Sequence, residues 1–216
     1  MRIERLAPWY RWIEYCAFGR ALERQRFAFL PAITAARHVL ILGEGDGRFL
    51  ARSLETAPGA HFDVVEVSSE MIALSRRRTG NPERVAYHCR DARDMPYPPG
   101  HYDAIVTNFF LDCFTEDEAR RIIGCLAESL TANGLWLLSE FEIPERGWQR
   151  LHAHVWVWIM YRFFRATTGL SAIALPPVDG LLRAAALRRI ARQEERVGLI
   201  VSEIWHRADS PDVTTL

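Results

Sequence analysis

The stretch Val39–Phe49, VLILGEGDGRF, carries the residues whose types and spacing point most directly to chemistry. Gly43, Gly45 and Gly47 follow an apolar run and precede a helical pattern. Glycine at such a bend reaches backbone angles closed to other residues and lets a ligand approach the main chain. The helix start behind the bend offers free N–H donors and partial positive charge, suited to a pyrophosphate or an amino-acid carboxylate. A tight turn with no ligand has the same spacing. Glu66 ends the next apolar run, 19 residues beyond Gly47. A carboxylate there can accept both hydroxyls of a ribose; otherwise it is an ordinary strand-end acid. Asp91, in Cys-Arg-Asp-Ala, can accept from an adenine amino group or cap a turn.

Candidate proton acceptors are fewer. Asp112 follows a fourth apolar run and is either a base or a turn cap. His152 and His154 sit two apart in an aromatic helical stretch, so they do not share a face. Imidazole titrates near neutrality, which makes His154 a candidate base and equally a hydrogen-bonded helix histidine. The chain contains no lysine, which excludes Schiff-base chemistry. Cys16, Cys89, Cys113 and Cys125 form no CxxC pair and lie at no metal-ligand spacing, so no metal is expected. They read as reduced thiols of a cytoplasmic protein.

These residues need elements to position them. Over 216 residues, 49% are hydrophobic and 25% charged, which fits one globular domain with an insertion. The 27 basic residues balance the 27 acidic ones, so bulk charge gives nucleic acid no foothold. The first residues, MRIERLAPWYRW, lack an apolar leader core, which argues against secretion. Val155–Phe164 is apolar but short of the ~20 residues that span a bilayer. Stable membrane insertion is therefore not expected, though peripheral contact stays open. Residues 4–30 predict helix. Short apolar runs at 38–42, 62–67, 84–92, 102–110 and 134–141 predict strands. Helical patterns at 48–57, 68–78 and 115–130 alternate with them, which implies βαβ crossovers and a mostly parallel sheet. After Pro144 an aromatic helical stretch (146–168), a short helix (179–187) and two closing strands (188–196 and 199–205) complete the chain.

VLILGEGDGRF, VVEVSSEMI, CRDARDMP, YDAIVTNFFLDCF and LTANGLWLLSEF resemble, in order and spacing, the successive motifs of class I S-adenosylmethionine-dependent methyltransferases over residues 38–141. The resemblance implies a three-layer αβα sandwich whose seven-stranded, mostly parallel sheet has its last strand antiparallel. It implies an N-terminal helical lid (1–31), a cofactor-binding core (38–143), an aromatic helical cap insertion (144–187) and closing strands (188–207). It implies S-adenosyl-L-methionine as cofactor. Gly43, Glu44, Gly45 and Gly47 would cradle its methionine part, Glu66 its ribose, and Asp91 with the Ala92 N–H its adenine. Val67 and Met71 would pack near the adenine ring. Asn108 and Phe109 would line the methyl-transfer cleft, and Tyr10 would fold over as part of the lid. One position departs from the pattern: Ile41 stands where the family has an acid that orders the methionine ammonium, and Glu44 is a candidate to compensate.

The Asn/Asp-Pro-Pro-aromatic motif of exocyclic-amine methyltransferases is replaced by Thr107-Asn108-Phe109-Phe110. Together with the neutral charge, this argues against a nucleic-acid substrate. The cap carries Trp148, Trp156, Trp158, Met160, Tyr161, Phe163 and Phe164 on more than one helical face. Such walls suit a small apolar or aromatic acceptor of polyketide, quinone or lipid type, or simple packing of the cap. Two rival classes remain open. One is a non-catalytic cofactor- or partner-binding domain. The other is a nicotinamide-dependent dehydrogenase, which the glycine spacing disfavours because GxGxxG is absent. The oligomeric state is not legible.

Overall fold

The computed structural model describes residues 20–143, 175–196 and 198–209. Strand β1 (His38–Leu42) is buried from Val39 onward. It lies between β2 (His61–Glu66) and β4 (Tyr102–Asn108), parallel to both. Alternate residues serve opposite faces. Val39 and Ile41 join Phe62, Val64, Ala104 and Val106 in one core, against Phe49 and Leu50 of helix α2 (Arg48–Thr56). Leu40 and Leu42 join Val65, Ile105 and Trp136 in the other, against Ile122, Ile123 and Leu126 of α4 (Glu116–Ser129). Burial on both faces is why β1 reads as a continuous apolar run, and each such side chain contributes about 1.5–3 kcal/mol.

The full sheet runs β3-β2-β1-β4-β5-β7-β6, where β3 is Val85–Cys89, β5 Leu130–Phe141, β6 Leu187–Glu195 and β7 Ile200–Arg207. β7 is antiparallel to both neighbours, so it is the single reversed strand the resemblance implies. The strand order changes direction between β1 and β4. In open α/β sheets that switch point places a crevice outside the strands' carboxyl ends.

Helix ends follow their sequence signals. Ser68 caps α3 (Ser69–Thr79) by accepting from the Met71 N–H, and Gly80 closes it at φ 72°. Thr115 and Glu118 form a reciprocal capping box at the start of α4. β5 begins at Leu130, earlier than periodicity predicts. Tyr102 pairs with Leu130 but Ala104 with Leu135, so the register shifts within the strand across Thr131–Gly134. Within the predicted N-terminal helix, α1 spans Ala21–Phe27, and Pro31 then opens a 3₁₀ turn, Leu30–Ile33. The predicted helix at 179–187 is α5, Val178–Ala184; Leu187 already belongs to β6. The remainder of the lid and most of the cap fall outside the described residues.

Candidate functional site

All three loop glycines have left-handed φ: 66° at Gly43, 68° at Gly45 and 85° at Gly47. Their surroundings differ. A Cβ on Gly43 would stand 2.6 Å from Cδ2 of Phe110, so that ring packs directly on the loop. A Cβ on Gly47 would stand 2.6 Å from Cα of Ser75, so this glycine admits α3. A Cβ on Gly45 would meet nothing within 4 Å. The loop is tied to the sheet by the Gly43 N–H, which donates to the Val65 carbonyl at 2.9 Å.

Glu66 faces this loop. Its Oε2 accepts from the Gly45 N–H at 3.1 Å and its Oε1 from the Ser68 N–H at 3.0 Å. Burial raises its pKa against the pull of these donors. The carboxylate is thus braced at the strand end beside an open backbone position, an arrangement that fits a ribose diol. Val67, next in the chain, is 59% exposed, the one large hydrophobic side chain so exposed among the described residues. Met71 is buried.

Glu44 corrects one expectation. One of the N–H donors at the start of α2 is already taken: Glu44 Oε1 accepts from the Leu50 N–H at 3.0 Å. Burial pushes its carboxyl up to about 8, against opposing pulls from the Leu50 N–H and the Arg26 charge. Ile41, at the family's acidic position, is buried in the core with Phe49 and Val64 and offers nothing polar to a ligand. Arg26 of α1 is a residue the sequence reading missed. Its guanidinium carbon lies 5.8 Å from the centroid of the Phe109 ring, and its charge acts on Glu44.

Asp91 is held by Arg93. Oδ1 accepts from the Arg93 backbone N–H and from Nε, each at 2.9 Å, and Oδ2 pairs with Nη2 at 2.5 Å. These bonds hold Asp91 below the usual carboxylate range. Arg93 also reaches Glu118 of α4, which fixes the turn after β3. Ala92 is buried, and its carbonyl accepts from the Tyr97 hydroxyl at 2.9 Å.

Beyond β4, Asn108 ends the strand opposite Ser139 of β5. Phe109 adopts φ 54°, a strained value for an aromatic residue, and its N–H donates to the Ser139 carbonyl at 2.6 Å. Its ring lies 5.1 Å from that of Phe141. A short 3₁₀ turn, Leu111–Cys113, follows. Glu140 of β5, also missed from sequence, anchors this turn: Oε1 accepts from the Phe110 N–H at 3.1 Å and the Leu111 N–H at 2.8 Å. The available signal was an acid within the apolar run LLSEF. Asp112 is buried in the turn, and burial raises its carboxyl to about 6. Burial and the like charge of Asp112 raise Glu140 as well. The structure therefore gathers the glycine loop, Glu66, Val67, Phe109 and Asp112 at the carboxyl ends of the central strands. Tyr10 and His154 fall outside the described residues.

A family model described as a methyltransferase domain matches residues 39–134. Residues 39–134 thus match a methyltransferase domain, carried on a sheet of the fold that S-adenosylmethionine-dependent methyltransferases share. It is 29% identical over 133 residues to a demethylmenaquinone methyltransferase of Thermus thermophilus, covering 61% of this chain and 60% of that one. A protein of the same description from Clavibacter sepedonicus is 30% identical over 113 residues, covering 52% and 44%. The chain thus spans about half the length of the curated relatives it matches. Among solved structures, the N-methyltransferase NodS of Bradyrhizobium japonicum WM9, in complex with S-adenosyl-L-homocysteine, superposes with a TM-score of 0.65 at 16% identity. That match covers 88% of this chain and 89% of NodS, and it speaks for the fold.

Proposed function

We propose that this chain methylates a small apolar acceptor of quinol type, with S-adenosyl-L-methionine as donor. The observation that carries the reading is Glu66, braced against the glycine loop at the sheet's switch point. The acceptor class draws on the matched demethylmenaquinone methyltransferases and on the aromatic cap sequence. In this reading Glu66 takes the ribose hydroxyls and Val67 and Met71 flank the adenine. Asp91 and the Ala92 N–H face its edge, and Gly43, Glu44, Gly45 and Gly47 hold the amino-acid end. Tyr10 closes over the site, while Asn108 and Phe109 wall the acceptor side. When bound, the cofactor supplies an electrophilic methyl group on a sulfonium, so the protein's work is alignment and exclusion of water.

Asp112 is the best-supported base. It is buried beside the aromatic wall and ionises near neutrality, as transfer from a phenolic hydroxyl or an acidic carbon requires. His154 is the alternative from the cap. The acceptor is a small molecule and not a nucleic acid. Among the described residues no helix is long and apolar enough to cross a membrane, and peripheral contact with a lipid-borne acceptor is compatible with the reading. Cytoplasmic location belongs to the same proposal. A second reading, a cofactor- or partner-binding domain without turnover, is favoured by Ile41 alone.

The test is calorimetric titration with S-adenosylhomocysteine and with NAD, then methyl transfer to a short-chain naphthohydroquinone and a panel of polar acceptors. Micromolar nucleoside binding with turnover of the quinol is the expected result. Binding without turnover would favour the second reading. Turnover of charged acceptors alone would refute the apolar pocket.

A further inference from the structure

Glu140 is a buried carboxyl that the proposed chemistry does not use. It follows the end of the β4–β5 pairing, which runs to Asn108 and Ser139. The Phe109 N–H donates to the Ser139 carbonyl at 2.6 Å, and the chain then leaves the sheet with Phe109 at φ 54°. The next two N–H groups turn inward, and Leu111 is fully buried. Buried N–H groups need acceptors. β5 supplies one from a side chain: Glu140 Oε1 accepts from the Phe110 N–H at 3.1 Å and from the Leu111 N–H at 2.8 Å. Alternation puts Glu140 on the sheet face of Leu138, which shares a core with Leu111, so an apolar side chain would be the ordinary choice at this position.

The turn held in this way touches both halves of the site. On one side the Phe110 ring lies against the glycine loop: a Cβ on Gly43 would stand 2.6 Å from its Cδ2 and 3.4 Å from its Cε2. On the other side the turn carries Asp112, buried and next in the chain after Leu111. Phe114, just past the turn, meets Phe110 edge-on with ring centroids 5.0 Å apart. The loop is in turn fixed to β2, through the Gly43 N–H and the Val65 carbonyl. One side chain on β5 therefore holds the segment after β4 against the loop after β1. Group transfer is sensitive to such alignment, since a misplacement of about 1 Å costs about 10²-fold in rate.

We propose that Glu140 is a positioning residue for methyl transfer, setting the turn at 110–112 against the glycine loop so that the acceptor side and the cofactor side share one alignment. The inference rests on the methyltransferase reading. Glu140 acts through the backbone of Phe110 and Leu111, and the Phe110 ring passes the constraint to Gly43. What it contributes is an acceptor oxygen rather than a charge, because burial and the like charge of Asp112 hold its carboxyl well above the ordinary range. Glutamine keeps that oxygen, and methionine removes it at similar size.

Two measurements on the full chain test this. Amide hydrogen exchange of the unaltered protein is read by NMR with and without saturating S-adenosylhomocysteine, and this arm needs no acceptor. The nucleoside should slow exchange by about tenfold or more at the Phe110 and Leu111 amides as well as in the loop at 43–47. Slowing confined to the loop would overturn the proposal. The second measurement is methyl transfer to the short-chain naphthohydroquinone by two variants. Glu140→Met is expected to lower kcat by about 10²-fold. Its acceptor KM and its affinity for S-adenosylhomocysteine should stay within about threefold of the parent, too little for a lost ligand contact. Glu140→Gln should keep kcat within about threefold as well. A carboxyl with a merely structural role would lower the melting temperature of Glu140→Met and leave the kcat of the folded enzyme unchanged, which would overturn the proposal. An equal loss of kcat in Glu140→Gln would also overturn it. Should Glu140→Met fail to fold, the exchange measurement decides. If the unaltered chain binds no nucleoside, the methyltransferase reading fails and the proposal falls with it.

Discussion

Replacing Gly45 and Gly47 in turn by alanine should separate folding from binding. Both residues hold left-handed φ, 68° and 85°, which costs an L-residue roughly 1–2 kcal/mol. At Gly47 the new methyl would also stand 2.6 Å from Cα of Ser75, a backbone atom of α3 that cannot rotate away. Overpacking of that kind adds about 1–3 kcal/mol, for a total of about 2–5 kcal/mol. At Gly45 the methyl meets nothing within 4 Å, so strain alone applies. For a domain of this size ~1 kcal/mol moves the melting temperature by about 2–4 °C. Gly47→Ala should therefore melt about 4–20 °C below the parent and Gly45→Ala only about 2–8 °C below it. Nucleoside binding should show the reverse order. The methyl on Gly45 projects into open space beside the N–H that Glu66 holds, so S-adenosylhomocysteine affinity should fall by more than the stability loss predicts. Differential scanning fluorimetry and calorimetric titration give both quantities. Greater destabilisation by Gly45→Ala than by Gly47→Ala would refute the packing argument, and full nucleoside affinity in Gly45→Ala would refute the placement of the ligand over this loop.

Three further outcomes follow from the same structure. Because Asp112 must be ionised to accept a proton and burial raises it to about 6, methyl transfer should increase with pH through that value and then level. Asp112→Asn should remove this limb and lower kcat by about 10²–10⁴-fold, with nucleoside binding retained, as pH–rate profiles and titration would record. Glu44 ionises at about 8 in the folded chain against an ordinary 4.5, so from 4.5 to about 8 the folded state holds a proton that the unfolded chain has released. Stability falls as pH rises through that window. Glu44→Gln keeps an acceptor for the Leu50 N–H and should raise the melting temperature at pH 8 by about 2–4 °C or more, with little change at pH 4. Thr115→Ala breaks the capping box of α4 and should cost about 0.5–2 kcal/mol in chemical denaturation, without effect on nucleoside affinity.

The sheet was legible because its central strands are buried on both faces and their apolar runs stand out against polar turns. β1, β2 and β4 fell where the runs placed them. The glycine loop and Glu66 were legible for a related reason: their chemistry depends on local spacing along the strand-loop-helix path. What was not legible depends on residues distant in sequence. Arg26 meets Phe109 only because α1 is pinned to β5 and β7. Glu140 anchors the turn at Phe110 and Leu111 from a neighbouring strand, across the β4–β5 pairing. Glu44 was visible as an odd acid among glycines, but its bond to the Leu50 N–H requires the loop to fold back over its own helix. Asp91 shows the converse limit. The strand predicted over 84–92 ends at Cys89, so Asp91 lies in the turn that follows, and Arg93, two residues on, claims its carboxylate.

Burial raises the proton affinity of four carboxyls at this end of the sheet: Glu44 after β1, Glu66 at the end of β2, Asp112 after β4 and Glu140 on β5. Each is hydrogen-bonded by backbone N–H groups, yet for each the loss of water outweighs those bonds. A crevice lined this way is poorly matched to a second anion and well matched to a cation that displaces the remaining water. A dinucleotide pyrophosphate would bring two negative charges to a helix start where Glu44 already takes the Leu50 N–H. A sulfonium nucleoside instead brings positive charge at sulfur and at the ammonium.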